Sequence, residues 1–179
     1  MKFLIFDTET TDLIRNSLLE DKYQPRVVEF FGHVATDDGE IEREVEFLCN
    51  PGIPIPKRSQ EITGITNEMV QGKGPFHEHI EELVALFRSA DAVVAHNLAY
   101  DWAVVNGEFA RAGMEGAVPW PMIRICTVQE TEWLKGHRLT LSDLHAHLFD
   151  APFKGAHRAR EDVGALTRCF LELRARDIV

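Results

Sequence analysis

Two carboxylates follow directly after an apolar segment near the N-terminus. The segment reads KFLIFDTETTDL, residues 2–13, and it places Asp7 and Glu9 two residues apart. If residues 2–8 form a strand, its side chains alternate between the two faces, so both acids point the same way at its C-terminal end. Because burying a charged group is costly unless it is paired or binds a metal, this arrangement indicates a functional site.

Two further acids lie next to apolar stripes, where the periodicity favours hydrophobic residues. In HNLAYDWAVVNGEF, Asp101 lies three residues after Leu98 and four before Val105, and it therefore borders the apolar face of a helix. In HRAREDVGALTRCFLEL, Asp162 lies four residues before Leu166, on the first turn of the last helix. A single acid of this kind is more often a helix cap or a member of an ion pair, and an acid on the first turn also suits the helix dipole.

One shared functional site explains four such acids better than four separate structural roles do. The sequence shows no matching set of inward Lys or Arg residues that could neutralise Asp7, Glu9, Asp101 and Asp162. Oxygen ligands suit Mg²⁺ or Mn²⁺, and two such ions form a clamp for in-line attack on a phosphodiester. His157 precedes Asp162 by five residues, on the segment GAH. A loop histidine is more often a surface residue, but one with a pKa near neutrality beside a metal site can accept a proton from an attacking water.

The composition restricts the class of protein. The 179 residues are the size of one domain, and we expect a single domain over 1–179. No apolar run approaches the ~20 residues of a membrane span, and the N-terminus lacks a signal pattern. The three cysteines, Cys49, Cys126 and Cys169, are far apart, which favours reduced thiols and an intracellular, cytoplasmic protein.

The net charge of −10, from 19 Lys+Arg against 29 Asp+Glu, bears on the substrate. A protein that binds long duplex nucleic acid would normally carry a basic surplus. Either the substrate is not nucleic acid, or only a few nucleotides are bound and metal cations supply the positive charge.

The order of the elements predicts a mixed α/β fold. Strands are expected at 2–8, 27–35, 41–49, 91–96 and 122–127. Helices are expected at 76–89, 99–112, 127–135, 140–148 and 159–176, with two short helical turns within 59–71. The Asp-Asp-Gly turn at 37–39 favours a hairpin. Early hairpin-linked strands followed by strand–helix alternation predict a mixed sheet with helices packed on it.

Three segments resemble the exonuclease motifs of the DEDDh family, typified by the epsilon proofreading subunit of bacterial DNA polymerase III. They are FDTETTDL, HNLAYDWAVVNGEF and HRAREDVGAL, and the linking segments RVVEFFGHV and EITGITNEMV are also similar to the family. The resemblance covers about residues 2–175. It implies a ribonuclease-H-like α/β fold, with a mixed five-stranded sheet and helices on both faces. It also implies 3′→5′ hydrolysis of single-stranded DNA, or of DNA 3′ ends, to nucleoside 5′-monophosphates by a two-metal mechanism.

The same resemblance implies roles for the matching residues. His157 would be the general base, and two divalent metal ions, Mg²⁺ or Mn²⁺, would be the cofactors. The implied metal ligands are Asp7, Glu9, Asp101 and Asp162. The implied substrate-binding residues are Thr10, Thr11, Leu13 and Asn97, although Asn97 could instead brace a helix start. The chain departs from the family at Asp12, where Gly is usual, and at Tyr100, where Phe is commoner.

Other functions stay open at this stage. An exoribonuclease of the same superfamily, trimming RNA 3′ ends, would carry the same motifs, so a single-stranded DNA 3′ end is the favoured partner and RNA the alternative. A catalytically inactive nucleic-acid-binding module would keep the fold, but the five intact catalytic positions argue against it. A metal-dependent phosphatase on another fold would require the motif match to be chance. The expected context is DNA replication or repair, and the sequence implies neither a membrane nor a polymerase partner.

Overall fold

A computed structural model of the chain describes residues 1–14, 21, 24–151, 153 and 157–179. Within these residues one mixed sheet has the strand order β3-β2-β1-β4-β5. The strands are β1 (Lys2–Thr10), β2 (Val27–Thr36), β3 (Ile41–Leu48), β4 (Ala92–Ala95) and β5 (Ile123–Cys126). β2 pairs antiparallel with both β1 and β3, whereas β1, β4 and β5 run parallel. The mixed five-stranded sheet expected from the sequence is confirmed.

The helices of the described residues match the expected ones closely. They are α1 (Lys57–Thr63), α2 (Asn67–Val70), α3 (Ile80–Arg88), α4 (Leu98–Arg111), α5 (Thr127–Thr131), α6 (Leu141–Phe149) and α7 (Ala159–Ala175). Two expected helices are partly 3₁₀, because Phe76–His79 precedes α3 and Glu132–Leu134 follows α5 as tighter turns. Such turns are common at helix ends, and periodicity over a few residues does not distinguish them from α-helix. None of the helices in the described ranges is long and apolar enough to cross a membrane.

Strand β1 lies at the centre of the sheet because both of its faces are apolar. Leu4, Ile5 and Phe6 are fully buried. The β2–β3 hairpin closes through the expected turn, in which the Gly39 amide donates to the Thr36 carbonyl at 3.0 Å. Gly39 has a φ of +84°, a conformation that glycine adopts without strain.

The alternation of side chains along β1 decides which helices face the two N-terminal acids. Leu4 and Phe6 pack in the core cluster that includes α3 and α4, whereas Phe3 and Ile5 pack against α7. The rings of Phe3 and Phe170 lie 4.9 Å apart. Helices thus cover both faces, as expected. Asp7 and Glu9 continue the row of Phe3 and Ile5, and they therefore lie on the α7 face of the sheet.

Candidate active site

Three of the four predicted metal ligands converge at the C-terminal end of β1. One carboxylate oxygen from each of Asp7, Glu9 and Asp162 lies within 4.8 Å of the other two. Asp7 and Glu9 come from β1, and Asp162 comes from the first turn of α7. The convergence follows from the fold, because α7 packs on the same face of β1 that carries both acids.

Asp101 lies beside this group rather than within it. Its side chain is only 2% exposed. One of its oxygens, Oδ1, accepts hydrogen bonds from the hydroxyl of Thr8 at 2.7 Å and from the Thr8 amide at 3.2 Å. Thr8 separates Asp7 from Glu9 and points to the α4 face, so Asp101 meets the strand between the two acids. The role of Asp101 as a metal ligand stays a prediction.

Burial raises the pKa of every one of these carboxyl groups. Burial and the neighbouring charge of Asp101 hold the pKa of Asp7 well above its usual range. Burial, with Asp162 as the largest neighbouring charge, raises the pKa of Glu9 to about 8. Burial raises the pKa of Asp162 to about 6, and the hydrogen bond from the His157 amide opposes the rise. Burial likewise raises the pKa of Asp101 to about 7, and the hydrogen bonds from Thr8 oppose it. Several buried acids in close proximity need either protons or a cation.

One oxygen of Asp162 indicates that the site suits a cation rather than additional protons. Oδ2 of Asp162 accepts a hydrogen bond from the backbone amide of His157 at 3.0 Å. Oδ1 is buried and has no hydrogen-bond partner among the described residues. Buried polar atoms without partners are uncommon, and a hard cation would satisfy this one together with the oxygens of Asp7 and Glu9. The donor set therefore fits Mg²⁺ or Mn²⁺.

His157 lies at the entrance of this group, directly before α7. Its φ is +73°, its side chain is exposed, and its amide is held by Asp162. The predicted loop residue Gly155 lies outside the described residues. His157 lines a cavity of about 340 Å³ together with Glu9, Thr10 and Tyr100. The imidazole and one acid of the group thus face the same space.

Two of the predicted substrate-binding residues line this cavity. Leu13 is 72% exposed, with its side chain available to a ligand. The hydroxyl of Tyr100 donates to the Asp12 carbonyl at 2.9 Å. The hydroxyls of Thr10 and Tyr100 are hydrogen-bonded to each other, and the Thr10 hydroxyl oxygen also lies 2.9 Å from the Asp12 carbonyl oxygen. The tyrosine that replaces the commoner phenylalanine therefore ties α4 to the turn that contains Asp12.

The other two predicted substrate-binding residues, Thr11 and Asn97, do not line this cavity. Thr11 is 2% exposed, and its hydroxyl accepts from the Arg26 amide at 3.0 Å, so it joins the end of β1 to the start of β2. Asn97, with a φ of +75°, precedes α4, and its Oδ1 accepts from Arg138 at 2.9 Å. The substrate contacts of both residues stay predictions. Next to Asn97, the His96 ring contacts the Leu139 carbonyl at 3.1 Å and so ties the segment before α4 to the segment before α6.

Sequence reasoning missed four residues at this site. Arg58 and Ile62, one turn apart on α1, both line the cavity. Their i,i+4 spacing places them on one helix face, which was the available signal. Glu29 is buried in β2, where it interrupts the apolar run VVEFF, and it binds Arg158 at 2.6 Å. The acid in the middle of this apolar strand was the sequence signal for Glu29.

Comparison with known proteins agrees with this geometry. Residues 4–170 match the family model RNase T, described as exonuclease. The chain belongs to this exonuclease family. This exonuclease domain is 31% identical over 176 residues to a PolC-type DNA polymerase III from Pediococcus pentosaceus. It is 30% identical over 181 residues to the 3′-5′ exonuclease DinG of Bacillus subtilis. Each match covers 96% of the chain, which spans 11% and 17% of the length of these two relatives.

Solved structures confirm the fold of the exonuclease domain. The nuclease domain of 3′hExo, a DEDDh family member bound to rAMP, superposes with a TM-score of 0.78 at 13% identity, over 98% of this chain and 92% of the other. Exonuclease X in complex with 5′ overhanging duplex DNA gives a TM-score of 0.65 at 23% identity, over 98% and 93%. The predicted ribonuclease-H-like fold is confirmed.

Proposed function

We propose that this exonuclease domain, over residues 1–179, hydrolyses DNA 3′ ends in the 3′→5′ direction and releases nucleoside 5′-monophosphates with the aid of two divalent metal ions. The observation that carries the proposal is the convergence of Asp7, Glu9 and Asp162 within 4.8 Å beside the cavity lined by His157. The relatives named as a DNA polymerase and a 3′-5′ exonuclease support DNA as the substrate and 3′→5′ as the direction.

The acids bind the metal ions. Asp7, Glu9 and Asp162 would hold them, with Asp101 completing the set from the α4 side. When bound, divalent ions polarise the scissile phosphate and stabilise charge on the leaving 3′-oxygen. Burial first, and then repulsion between the acids, raises the pKa of Asp7 and Glu9 in the absence of a cation. The same repulsion favours cation binding over the empty, fully ionised state.

His157 is the proposed general base. Its imidazole is exposed at the cavity, so it can take a proton from the attacking water and release it to solvent. The hydrogen bond from its amide to Asp162 fixes the backbone next to the acids, while the ring stays outside the buried group. His157→Ala should therefore lower kcat and leave metal binding largely intact.

The cavity of about 340 Å³ is the proposed site of the 3′-terminal nucleotide. Its volume lies within the range of about 300–1,000 Å³ that is usual for small-ligand pockets. Leu13 and Ile62, 72% and 48% exposed, come from different elements and offer apolar contacts to a base. Thr10 and Thr11 would shape the turn beneath the nucleotide, and Asn97 would lie at the start of α4 near the scissile phosphate.

Among the described residues that line the cavity, Arg58 is the one Lys or Arg side chain. Within the described part of the chain, no carboxylate pairs with Arg58. We expect it to bind a phosphate of the substrate. Because a hydrogen bond to a charged group contributes about 1.5–3 kcal/mol, Arg58→Ala should raise KM roughly tenfold or more.

Lys57 provides a matched control for Arg58. It is the adjacent cation on α1, its side chain is 90% exposed, and it does not line the cavity. Lys57→Ala removes the same charge, but its exposed pair with Glu61 contributes little, so KM should change by about twofold or less. Equal effects of the two substitutions would show that only the overall charge matters, and would contradict the proposed contact.

The proposed function is tested with 5′-labelled single-stranded DNA and RNA of the same sequence, incubated with Mg²⁺, Mn²⁺ or EDTA. We expect products that shorten from the 3′ end, only with metal, and faster for DNA. The Asp7→Ala protein controls for contaminating nucleases. Faster cleavage of RNA would identify an exoribonuclease. No cleavage of either polymer, with metal binding intact, would identify an inactive binding module.

A further inference from the structure

Glu29 and Arg158 form an ion pair next to the three converging acids. Oε1 of Glu29 accepts from Nη2 of Arg158 at 2.6 Å and from Nε at 3.1 Å. Oε2 accepts from the backbone amide of Ala159 at 3.0 Å. Glu29 is only 1% exposed, so an uncompensated negative charge there would be costly. Both of its oxygens are thus engaged by the start of α7.

The position of Glu29 connects this pair to the metal-binding acids. Glu29 of β2 lies directly opposite Glu9 of β1, and directly opposite residues of an antiparallel pair share one face of the sheet. Glu29 is therefore a third acid, beside Asp7 and Glu9, that the strands place on this face of the sheet. Arg158 and the Ala159 amide bind its two oxygens, so the start of α7 is attached to β2 next to Glu9.

Arg158 also lies between the residues that the reaction uses. It directly follows His157 and precedes α7, and no side chain of its own caps that helix. Instead, Glu29 caps the helix from β2 through the Ala159 amide. The Asp162 amide donates to the Arg158 carbonyl at 2.9 Å, and the His157 amide donates to Asp162 at 3.0 Å. The segment from His157 to Asp162 is therefore anchored to the sheet at Arg158.

We propose that Glu29 and Arg158 are positioning residues that set the geometry of Asp162 and His157 relative to β1. The proposal rests on the proposed function for its kinetic part. Neither side chain needs to touch the substrate. Each acts by fixing the start of α7 against β2, next to the strand that carries Asp7 and Glu9.

The test replaces Arg158 by Ala and measures kcat, KM and Mn²⁺ affinity. Loss of residues that orient metal ligands typically lowers metal affinity or activity by about 10–100-fold, so we expect kcat and Mn²⁺ affinity to fall in that range. KM should stay nearly unchanged, because the nucleotide cavity is intact. Arg158→Lys keeps the charge but loses the two-pronged contact, and it should restore activity only in part.

Arg160 is the matched control for a merely structural effect. It lies two residues further along α7 and also forms ion pairs, with Glu44 at 2.7 Å and with Glu46, but these acids are on β3 and are partly exposed. Arg160→Ala should lower thermal stability less than Arg158→Ala, because its partners are partly exposed, and should leave kcat and Mn²⁺ affinity unchanged. Glu29→Gln combined with Arg158→Ala should be no less active than Arg158→Ala alone, because the two residues act as one unit.

The proposal is overturned if folded Arg158→Ala, Arg158→Lys and Glu29→Gln proteins keep wild-type kcat and Mn²⁺ affinity. It is also overturned if Arg160→Ala lowers both quantities equally. If Arg158→Ala does not fold, the Lys and Gln variants still decide the question. If the wild-type chain cleaves neither DNA nor RNA, the proposed function fails, whereas the Mn²⁺ affinities of the variants still show whether the pair positions Asp162.

Discussion

Replacing Glu9 by Gln is expected to stabilise the metal-free protein at pH 8 while removing activity. Burial, together with the charges of Asp162 and Glu29, raises the pKa of Glu9 from 4.5 to about 8. A carboxyl group with a higher pKa in the folded than in the unfolded protein contributes its stability below the unfolded value, and this contribution is lost as the pH rises through the folded value. The contribution of Glu9 should therefore decline between about pH 4.5 and pH 8.

The size of the effect follows from the pKa. One pKa unit corresponds to about 1.4 kcal/mol, so ionising Glu9 in the folded, metal-free protein costs up to about 5 kcal/mol. Relaxation of the neighbouring acids lowers this figure, and we expect roughly 2–5 kcal/mol for Glu9→Gln at pH 8. For a chain of this size, 1 kcal/mol shifts Tm by about 2–4 °C, which gives a rise of roughly 4–20 °C.

The assay is thermal denaturation in EDTA at pH 5 and pH 8. The control is Glu115→Gln, which makes the same substitution at an exposed glutamate and should change Tm by about 1 °C or less. At pH 5, Glu9→Gln should differ little from the wild type. Mn²⁺ should then raise the Tm of the wild type more than that of Glu9→Gln, because the ion binds the folded state. If Glu9→Gln is no more stable than the wild type at pH 8 in EDTA, burial and the neighbouring acids do not make ionised Glu9 costly, and the reasoning is refuted.

Three further predictions concern residues around the acids. Thr8→Val removes the 2.7 Å hydrogen bond to Asp101 and should raise the pKa of Asp101 above about 7. The pH–rate profile for kcat should then shift to higher pH. Thr8→Ser keeps the hydroxyl and should leave the profile unchanged. Tyr100→Phe removes the contacts with Thr10 and the Asp12 carbonyl, and oligonucleotide KM should rise by a few-fold with kcat unchanged. His157→Ala should lower kcat at least about 100-fold, as expected for a general base, with Mn²⁺ affinity within about twofold by calorimetry. A parallel loss of Mn²⁺ affinity would assign His157 to metal binding instead.

The parts of the fold that sequence predicted are those with a local pattern. The alternation along β1 placed Asp7 and Glu9 on one face, and the stripe of α7 placed Asp162 in line with the core. The hairpin turn at Gly39 and the positions of the strands along the chain were predicted for the same reason. Each of these features is encoded within about ten neighbouring residues.

The contacts that sequence did not predict join residues far apart in the chain. Glu29 and Arg158 are 129 residues apart, and nothing in either segment indicates the other. The role of Asp101 as a metal ligand stays a prediction, but its hydrogen bond with Thr8 was not predicted, because it depends on how α4 packs on the sheet. Thr11 belongs to the polar segment that follows Asp7, yet it is buried where the end of β1 meets the start of β2. Such details depend on tertiary packing, which local periodicity does not encode.

The measurement that tests the central claim most directly is the location of Mn²⁺ in crystals soaked with the ion and a nucleoside 5′-monophosphate. The account predicts anomalous density in contact with Asp7, Glu9 and Asp162, including the buried Oδ1 of Asp162, and the nucleotide in the cavity beside Leu13 and Ile62. Crystals of Asp7→Asn should lose that density. Mn²⁺ bound elsewhere, with the three carboxylates unliganded, would contradict the account.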